Sequence, residues 1–232
     1  MLKIENTVVT GWEAAIRGMR NPKNSWARSD SKLVPIDAEF RPGHFKFEIG
    51  PNDLDLMIRL RNAGTDHRKF MRMITVYLDI TAPLYWWKEF DTYKVGTIAN
   101  SCSTMHKIAA KEFTLDDFSH EHLIDTCLLE RVMNELNIFR DIYNNYDKQT
   151  EKYKAEFSKK DIWWQMIQLL PTSYNQKRTV LLNYEVLANI YKSRRNHKLD
   201  EWHTFCEWIE SLPYSELITG VEENKEKNND AT

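Results

Sequence analysis

Hydrophobic positions recur at spacings of three and four through much of the second half of the chain, a pattern that predicts amphipathic helices. One stripe predicts a long helix, and its members are Leu129, Val132, Leu136, Phe139, Tyr143 and Tyr146. Two shorter stripes predict later helices, and they consist of Val180, Tyr184, Leu187, Ala188 and Tyr191, and of Trp202, Phe205, Cys206 and Ile209. A further helix is predicted over residues 161–170, because Pro171 cannot continue it.

The first half of the chain mixes strand-like and helix-like segments. Before residue 92 the patterns predict strands over 3–9 and 70–80 and helices over 12–19, 54–62 and 84–91. The second of these helices has Asn52 as its predicted N-cap and Gly64 as its stop signal. Residues 21–42 and 92–107 are predicted to be loops. The chain is therefore expected to be α+β, with early strands and a mostly helical second half.

The composition is that of an ordinary globular chain of 232 residues, with 42% hydrophobic and 28% charged residues. We expect a single domain over residues 1–219 and a charged, disordered tail over residues 220–232. Three widely spaced cysteines predict reduced thiols and a cytoplasmic location. No signal peptide is predicted, and no apolar run reaches the roughly 18 residues of a membrane span, so no membrane association is expected.

The formal net charge is −2, and the tail alone accounts for it with four acidic residues against two lysines. Residues 1–219 are therefore formally neutral. Because proteins that bind duplex nucleic acid present a strongly basic face, we expect no duplex partner. A site for an anionic ligand has to be a local cluster of cations and hydrogen-bond donors.

The densest group of candidate binding residues lies in residues 86–106, where aromatic side chains, Lys94, Gly96 and several hydroxyls occur together. Hydroxyls and backbone N–H groups around a glycine can bind phosphate oxygens, and aromatic faces can stack on a flat ring. The alternative is that the tryptophans belong to the core and the Ser/Thr run is a solvated loop. Two basic clusters, residues 175–178 and 192–195, are either phosphate contacts or solvated helix ends.

No metal site is predicted. His120 and His122 are two residues apart, but the chain contains no His-Glu-x-x-His and no Cys-x-x-Cys motif. A Gly-rich phosphate loop is also absent from the sequence. Cys102 lies in the polar stretch without an evident base beside it, so no catalytic residue is assigned.

Three segments, in the same order, resemble flavin-dependent thymidylate synthases (ThyX). The family has a Glu-His pair before a strand and then the signature R-H-R-x-x-S-x-N-E-x-S-x-R-Y. Here Asp66 and His67 precede the strand, and residues 92–106 resemble the signature with one inserted residue. Residues 169–171, 183–185 and 194–202 resemble the family's later Leu-Pro and helical segments. Residues 86–106 also resemble phage and prophage proteins of unassigned role.

The resemblance implies FAD as cofactor, dUMP as substrate, and a homotetramer whose sites are shared between chains. Thr92, Tyr93 and Lys94 replace the Arg-His-Arg of the signature, and Met105 replaces a later arginine, which argues against FAD and against standard activity. The candidate nucleotide- or cofactor-binding residues are His67, Trp87, Tyr93, Lys94, Thr97, Asn100, Ser101, Ser103, Arg178, Arg194 and Arg195.

These observations favour a nucleotide-binding protein on a ThyX-like fold that departs from the family's standard activity. It would be phage-encoded, act in the bacterial host cytoplasm, and sequester or alter a nucleotide-derived defence signal. One alternative is an active, divergent FAD-dependent enzyme that methylates dUMP to dTMP. Another is an oligomeric interaction protein without a small-molecule site.

Overall fold

The computed structural model describes residues 1–35 and 45–220. The predicted tail, from residue 221 onward, and the last part of the predicted loop 21–42 lie outside the described residues. The helices are α1 (Trp12–Arg20), α2 (Pro51–Asn62), α3 (Leu84–Phe90), α4 (Thr104–Lys107), α5 (Cys127–Asn144), α6 (Glu151–Glu156), α7 (Lys159–Leu169), α8 (Tyr184–Arg194), α9 (Asp200–Glu210) and α10 (Glu216–Thr219). The strands are β1 (Lys3–Thr10), β2 (Lys32–Pro35), β3 (Phe45–Glu48), β4 (Thr75–Pro83), β5 (Ile98–Ser101) and β6 (Asn175–Asn183).

Two sheets are present in the described part of the chain. The larger has four strands in the order β1-β4-β6-β5, so strands distant in sequence are neighbours. The smaller is an antiparallel pair of β2 and β3, in which Lys32 lies opposite Glu48 and Leu33 opposite Phe47. Strands and long helices together make the α+β class that the sequence predicts.

Several predicted elements are confirmed with small shifts of their ends. The long helix predicted from the stripe of Leu129 is α5, and it ends at Asn144, so that Tyr146 falls in a 3₁₀ turn. The helix predicted over 161–170 is α7, which begins earlier because Ser158 and Asp161 form a capping box.

Two predicted elements have different structures. Residues Arg68–Met73 form a 3₁₀ helix, so the strand predicted over 70–80 begins only at Thr75. Phe70 and Met71 are both buried, which adjacent residues of a strand with one buried face cannot be. Val180 belongs to β6 and not to the helix predicted from its stripe. Asn183 ends that strand and caps α8, accepting a hydrogen bond from the backbone N–H of Val186 at 3.0 Å.

The predicted cap and loops also need correction. Gly50, not Asn52, occupies the N-cap position of α2, and the Asp30 carboxylate accepts hydrogen bonds from the N–H groups of Asn52 and Asp53 at 2.9 and 3.1 Å. The predicted loop 21–42 contains β2, and the predicted loop 92–107 contains β5 and α4. Every residue of β5 is exposed, so this strand has no hydrophobic alternation that would reveal it.

The described residues form two compact units. Unit 1 comprises Met1–Glu5, Asp79–Thr92 and Ala99–Val180, and unit 2 comprises the described residues of 6–78, Tyr93–Ile98 and residues 181–220. In the core of unit 1, Leu129 and Leu136 of α5 pack with Met166 of α7 and with Phe113 and Phe118.

In unit 2, the Trp12 ring lies edge-on to the rings of Tyr184 and Tyr214, with centroids 5.2 and 5.3 Å away. The unit also buries an ion pair between Arg20 and Asp53, joined at 2.6 Å. None of the helices described is both long enough and apolar enough to span a membrane.

Candidate functional site

A cleft of about 470 Å³ lies in unit 1 beside the segment that follows β5. Its lining residues are Leu84, Ser101, Cys102, Ser103, Thr104, Met105, Ile167, Leu170, Gln176 and Arg178. The residues from the β5–α4 segment, together with Gln176 and Arg178 of β6, supply polar groups. Leu84, Ile167 and Leu170 supply an apolar surface. The cleft therefore presents hydrogen-bond donors and an apolar surface to one ligand-sized space.

The polar side of the cleft is held to β6 by main-chain and side-chain hydrogen bonds. The Cys102 N–H donates to the Lys177 carbonyl at 2.9 Å. The Gln176 amide nitrogen donates to the Cys102 carbonyl at 3.1 Å and to Thr104 Oγ1 at 3.0 Å. Ser103 Oγ accepts the His106 N–H at 3.2 Å. These bonds fix the backbone of residues 101–106.

Arg178 is the cation of this cleft, and three contacts hold it in place. Its Nε donates to Gln176 Oε1 at 2.9 Å, its Nη1 lies 2.7 Å from Asp91 Oδ1, and its guanidinium carbon lies 4.1 Å from the centre of the Trp87 ring. The Arg178 side chain is only 15% exposed, whereas Asp91 is 52% exposed. Because Asp91 is solvated, it offsets the charge of Arg178 only in part.

The alternation of β6 selects which residues face the cleft. Gln176 and Arg178 share one face and line it, whereas Lys177 lies on the other face. Lys177 Nζ is 3.3 Å from both Asp79 and Glu5, and hydrogen bonds to these carboxylates raise its pKa. Lys177 is therefore occupied elsewhere, and Arg178 supplies the charge.

Of the predicted site residues in unit 1, Ser101, Ser103 and Arg178 line the same cleft. Trp87 is buried, and its indole N–H donates to the Gln176 carbonyl at 2.9 Å. Arg178 lines the cleft and covers the Trp87 ring, whereas Trp87 is not part of the lining, so a ligand in the cleft would contact Arg178 and not Trp87. Asn100 is exposed on β5 and is not part of the cleft lining.

Sequence reasoning missed Gln176 and Thr104 as cleft residues and Leu84, Ile167 and Leu170 as its apolar surface. A strand prediction for β6 would have paired Gln176 with Arg178 by the two-residue period. No local signal connects Thr104 with Gln176, because they are 72 residues apart.

The other predicted residues belong to unit 2. Arg194 Nε donates to the Tyr93 hydroxyl at 2.9 Å, and its guanidinium lies 4.8 Å from the centre of the Trp202 ring. Thr97 Oγ1 is buried and has no hydrogen-bond partner among the described residues. The remaining predicted residues are exposed, namely His67, Lys94 and Arg195. Their assignment to a binding site stays a prediction.

A larger groove, of about 920 Å³, lies in unit 2 between the start of α1 and the β2–β3 pair. Its lining includes Gly11, Arg17, Lys46, Phe47 and Tyr214, and none of the residues predicted for the site. Arg17 there is 65% exposed and pairs with Glu13. A solvated guanidinium that must be ordered on binding is a weaker anion site than a fixed one, so the smaller cleft is the better candidate.

No protein-family profile and no curated protein sequence is similar enough to count as a match. Two crystal structures of flavin-dependent thymidylate synthase ThyX from Helicobacter pylori, each containing FAD and dUMP, do match. One has 14% sequence identity and a TM-score of 0.65, and the other has 15% identity and a TM-score of 0.62. Each alignment covers 94% of this chain and 98% of that protein.

These matches confirm the expected fold class, an α+β fold like that of ThyX. Identity at this level shows the fold alone. Activity and ligands must therefore be argued from the residues of this chain.

The residues that replace the family's Arg-His-Arg do not reproduce its cationic set. The Thr92 hydroxyl donates to the Glu89 carbonyl at 2.7 Å, and the Tyr93 hydroxyl accepts from Arg194. Lys94 is exposed. Two guanidinium groups are thus absent from these positions, and each would contribute about 1.5–3 kcal/mol through charge-assisted hydrogen bonds. These positions therefore lack the two guanidinium groups that the resemblance implies as flavin and nucleotide contacts, so a bound flavin would need other partners.

Proposed function

We propose that this protein binds a nucleotide or a nucleotide-derived molecule in the cleft of unit 1. The observation that carries the proposal is the fixed guanidinium of Arg178, placed in a cleft that also contains Ser101 and Ser103. Guanidinium and hydroxyl groups are the usual partners of phosphate oxygens. The ThyX-like fold supports the choice of ligand class, since the similar solved structures contain dUMP and FAD.

The two sides of the cleft suit the two parts of such a ligand. The phosphate would accept hydrogen bonds from Arg178 and from the Ser101 and Ser103 hydroxyls. The base would lie against Leu84, Ile167 and Leu170, since flat rings bury apolar surface well. Gln176 would act as a positioning residue, because both its donors and its acceptor already hold the cleft walls.

The finer parts of the hypothesis rest on the sequence resemblance alone. They are a phage origin, a homotetramer that acts in the host cytoplasm, and the capture or alteration of a nucleotide signal used in host defence. Under this proposal, the exposed candidates His67, Lys94 and Arg195 and the Tyr93–Arg194 pair would contribute to ligand binding in the assembled protein.

Isothermal titration calorimetry against a panel of nucleotides tests the proposal. The panel comprises dUMP, UMP, AMP, cyclic dinucleotides, ADP-ribose and FAD. We expect at least one member to bind, and Arg178→Gln to weaken its binding about 10- to 100-fold through loss of charged hydrogen bonds. Ser101→Ala should weaken binding less, because it removes a neutral donor.

Two variants serve as matched controls. Arg17→Gln removes a guanidinium from the larger groove of unit 2, and Thr204→Ala removes an exposed hydroxyl from α9. Both should bind like the unchanged protein. The proposal would be refuted if no panel member bound at high micromolar concentration. If Arg17→Gln were the only variant to lose binding, the ligand site would be the groove of unit 2 and not the cleft.

A second candidate function is a divergent flavin-dependent thymidylate synthase, which the FAD and dUMP in the similar structures favour. In that case the purified protein would be yellow or would take up added FAD, and its visible absorbance spectrum would be that of a protein-bound flavin. A colourless protein that ignores FAD while binding a nucleotide excludes this second candidate and supports the first.

A further inference from the structure

Helix α5 carries two different stripes of residues at spacings of three and four. The stripe of Leu129, Leu136 and Phe139 faces α7 and is part of the core of unit 1. Each member of a second stripe precedes a member of the core stripe by one residue. This second stripe lies on the solvent side of the helix, and all its members are exposed except the last, which is half-buried. Its members are Leu128, Arg131, Glu135, Ile138 and Ile142. We call these five residues the outer seam.

The outer seam is apolar at its ends and charged at its centre. Leu128 is 71% exposed and Ile138 is 51% exposed, and Ile124, just before the helix, is fully exposed. Arg131 and Glu135 lie between them and are also exposed. Exposed large apolar residues that recur in one stripe of a helix indicate a partner surface, unlike single scattered ones. Their spacing is that of a coiled-coil seam.

When two copies of the outer seam are placed side by side in opposite directions, apolar residues lie level with apolar residues and each charged residue lies level with one of opposite charge. If two copies of α5 cross antiparallel about a two-fold axis at residue 133, Leu128 of one copy lies level with Ile138 of the other. Under the same symmetry, Arg131 lies level with Glu135 of the other copy. A two-fold interface requires this property, because the same patch must face itself. The charged pair then fixes the register, as polar residues do within apolar seams.

A pairing within one helix explains these two charges less well. Arg131 precedes Glu135 by four residues, and this order is the weaker of the two for a helical ion pair. Between two copies, the same residues form two opposite-charge contacts flanked by apolar pairs.

We propose that the outer seam of α5 is a two-fold interface through which two copies of this chain associate by antiparallel helix pairing. The occupant is a second copy of the same protein, because the charge order fits its own reverse. The inference does not depend on the proposed ligand site, and either can fail without the other.

Mass photometry and sedimentation of charge-reversed variants test this interface. Arg131→Glu and Glu135→Arg each place like charges opposite one another, so each should raise the dissociation constant by at least about tenfold and halve the particle mass. The double variant Arg131→Glu/Glu135→Arg restores opposite charges and should return the particle to its original mass. A helix-internal pair would give no change of mass in any variant.

Lys152→Glu on α6 is the matched control, because it changes the net charge as much as Arg131→Glu at an exposed position outside the seam. It should keep the original mass. Circular dichroism of all variants confirms that the helices are retained, and recovery in the double variant shows that the singles are not merely misfolded. The proposal is overturned if the unchanged protein is monomeric at micromolar concentration, if the single variants keep its mass, or if the double variant stays dissociated.

Discussion

At the scale of single residues, the buried carboxylate of Asp53 shows how this chain satisfies a charge in its interior. Arg20 Nε donates to its Oδ1, and Ser29, Ser31 and the backbone N–H of Asp30 donate to its Oδ2. Burial acts to raise the pKa of Asp53, but the hydrogen bonds from Ser31, Ser29 and Arg20 outweigh it and lower the pKa. The charged form is therefore the one that folding favours.

Replacing this carboxylate should be costly at neutral pH. Asp53→Asn leaves Arg20 buried without its counter-ion, and we expect the free energy of unfolding to fall by about 3–5 kcal/mol. Urea denaturation at pH 7 measures this loss. Asp55→Asn on the same helix is the control, because Asp55 is 64% exposed and its pair with Arg59 should contribute less than about 1 kcal/mol.

The same pair predicts an acid-dependent component of stability. Since the pKa of Asp53 is lower in the folded than in the unfolded state, its contribution is present above the unfolded pKa and is lost as the pH falls through the folded pKa. The thermal midpoint, followed from pH 6 downward, should therefore fall less steeply in Asp53→Asn than in the unchanged protein. Parallel curves would contradict the assigned direction of the shift.

At the scale of elements, the junction between β1 and α1 depends on one glycine. Gly11 has φ of +92°, and a Cβ built on it would lie 2.0 Å from the Met73 carbonyl oxygen. A side chain here would meet both an unfavourable backbone conformation and a main-chain clash. This close approach places the 3₁₀ helix Arg68–Met73 against the start of α1.

A matched pair of substitutions separates the two effects. Gly64 also has positive φ, but a Cβ built on it would have no neighbour within 4 Å in the described part of the chain. Gly64→Ala should cost only the backbone term of about 1–2 kcal/mol. Gly11→Ala should cost roughly 3 kcal/mol or more, since overpacking adds to that term. Equal losses in chemical denaturation would show that the Met73 contact can relax.

Element prediction succeeded where one side of an element is buried. Helix α5 was predictable because its core stripe is regular, and the end of α7 was predictable because Pro171 follows it. The prediction begins α7 at residue 161 because it does not use the capping box of Ser158 and Asp161. The all-exposed strand β5 was not predictable from hydrophobic spacing. Strand β6 begins with polar residues that line the cleft or bind carboxylates, so its first half resembles a basic loop. Its last residues lead directly into α8, which explains why Val180 was assigned to the helix.

At the scale of the whole molecule, the fold could be predicted through the order of three segments, and the similar solved structures confirm it. The cleft could be predicted only in part. Ser101, Ser103 and Arg178 were identified from their chemistry, but their common location depends on β6 pairing with a segment more than 70 residues away. Which distant segments pair depends on the arrangement of all the strands in the sheet, so it cannot be predicted from the local sequence pattern of either segment.

Hydrogen–deuterium exchange with each panel nucleotide at millimolar concentration tests the central claim most directly, because it shows both whether and where a ligand binds. We predict that at least one nucleotide slows exchange in peptides covering residues 101–105 and 175–178, and that Arg178→Gln raises the nucleotide concentration needed for half-maximal protection about 10- to 100-fold. Protection confined to residues 11–17 and 213–214 would place the ligand in the groove of unit 2. That result, or no protection with any nucleotide, would contradict the account.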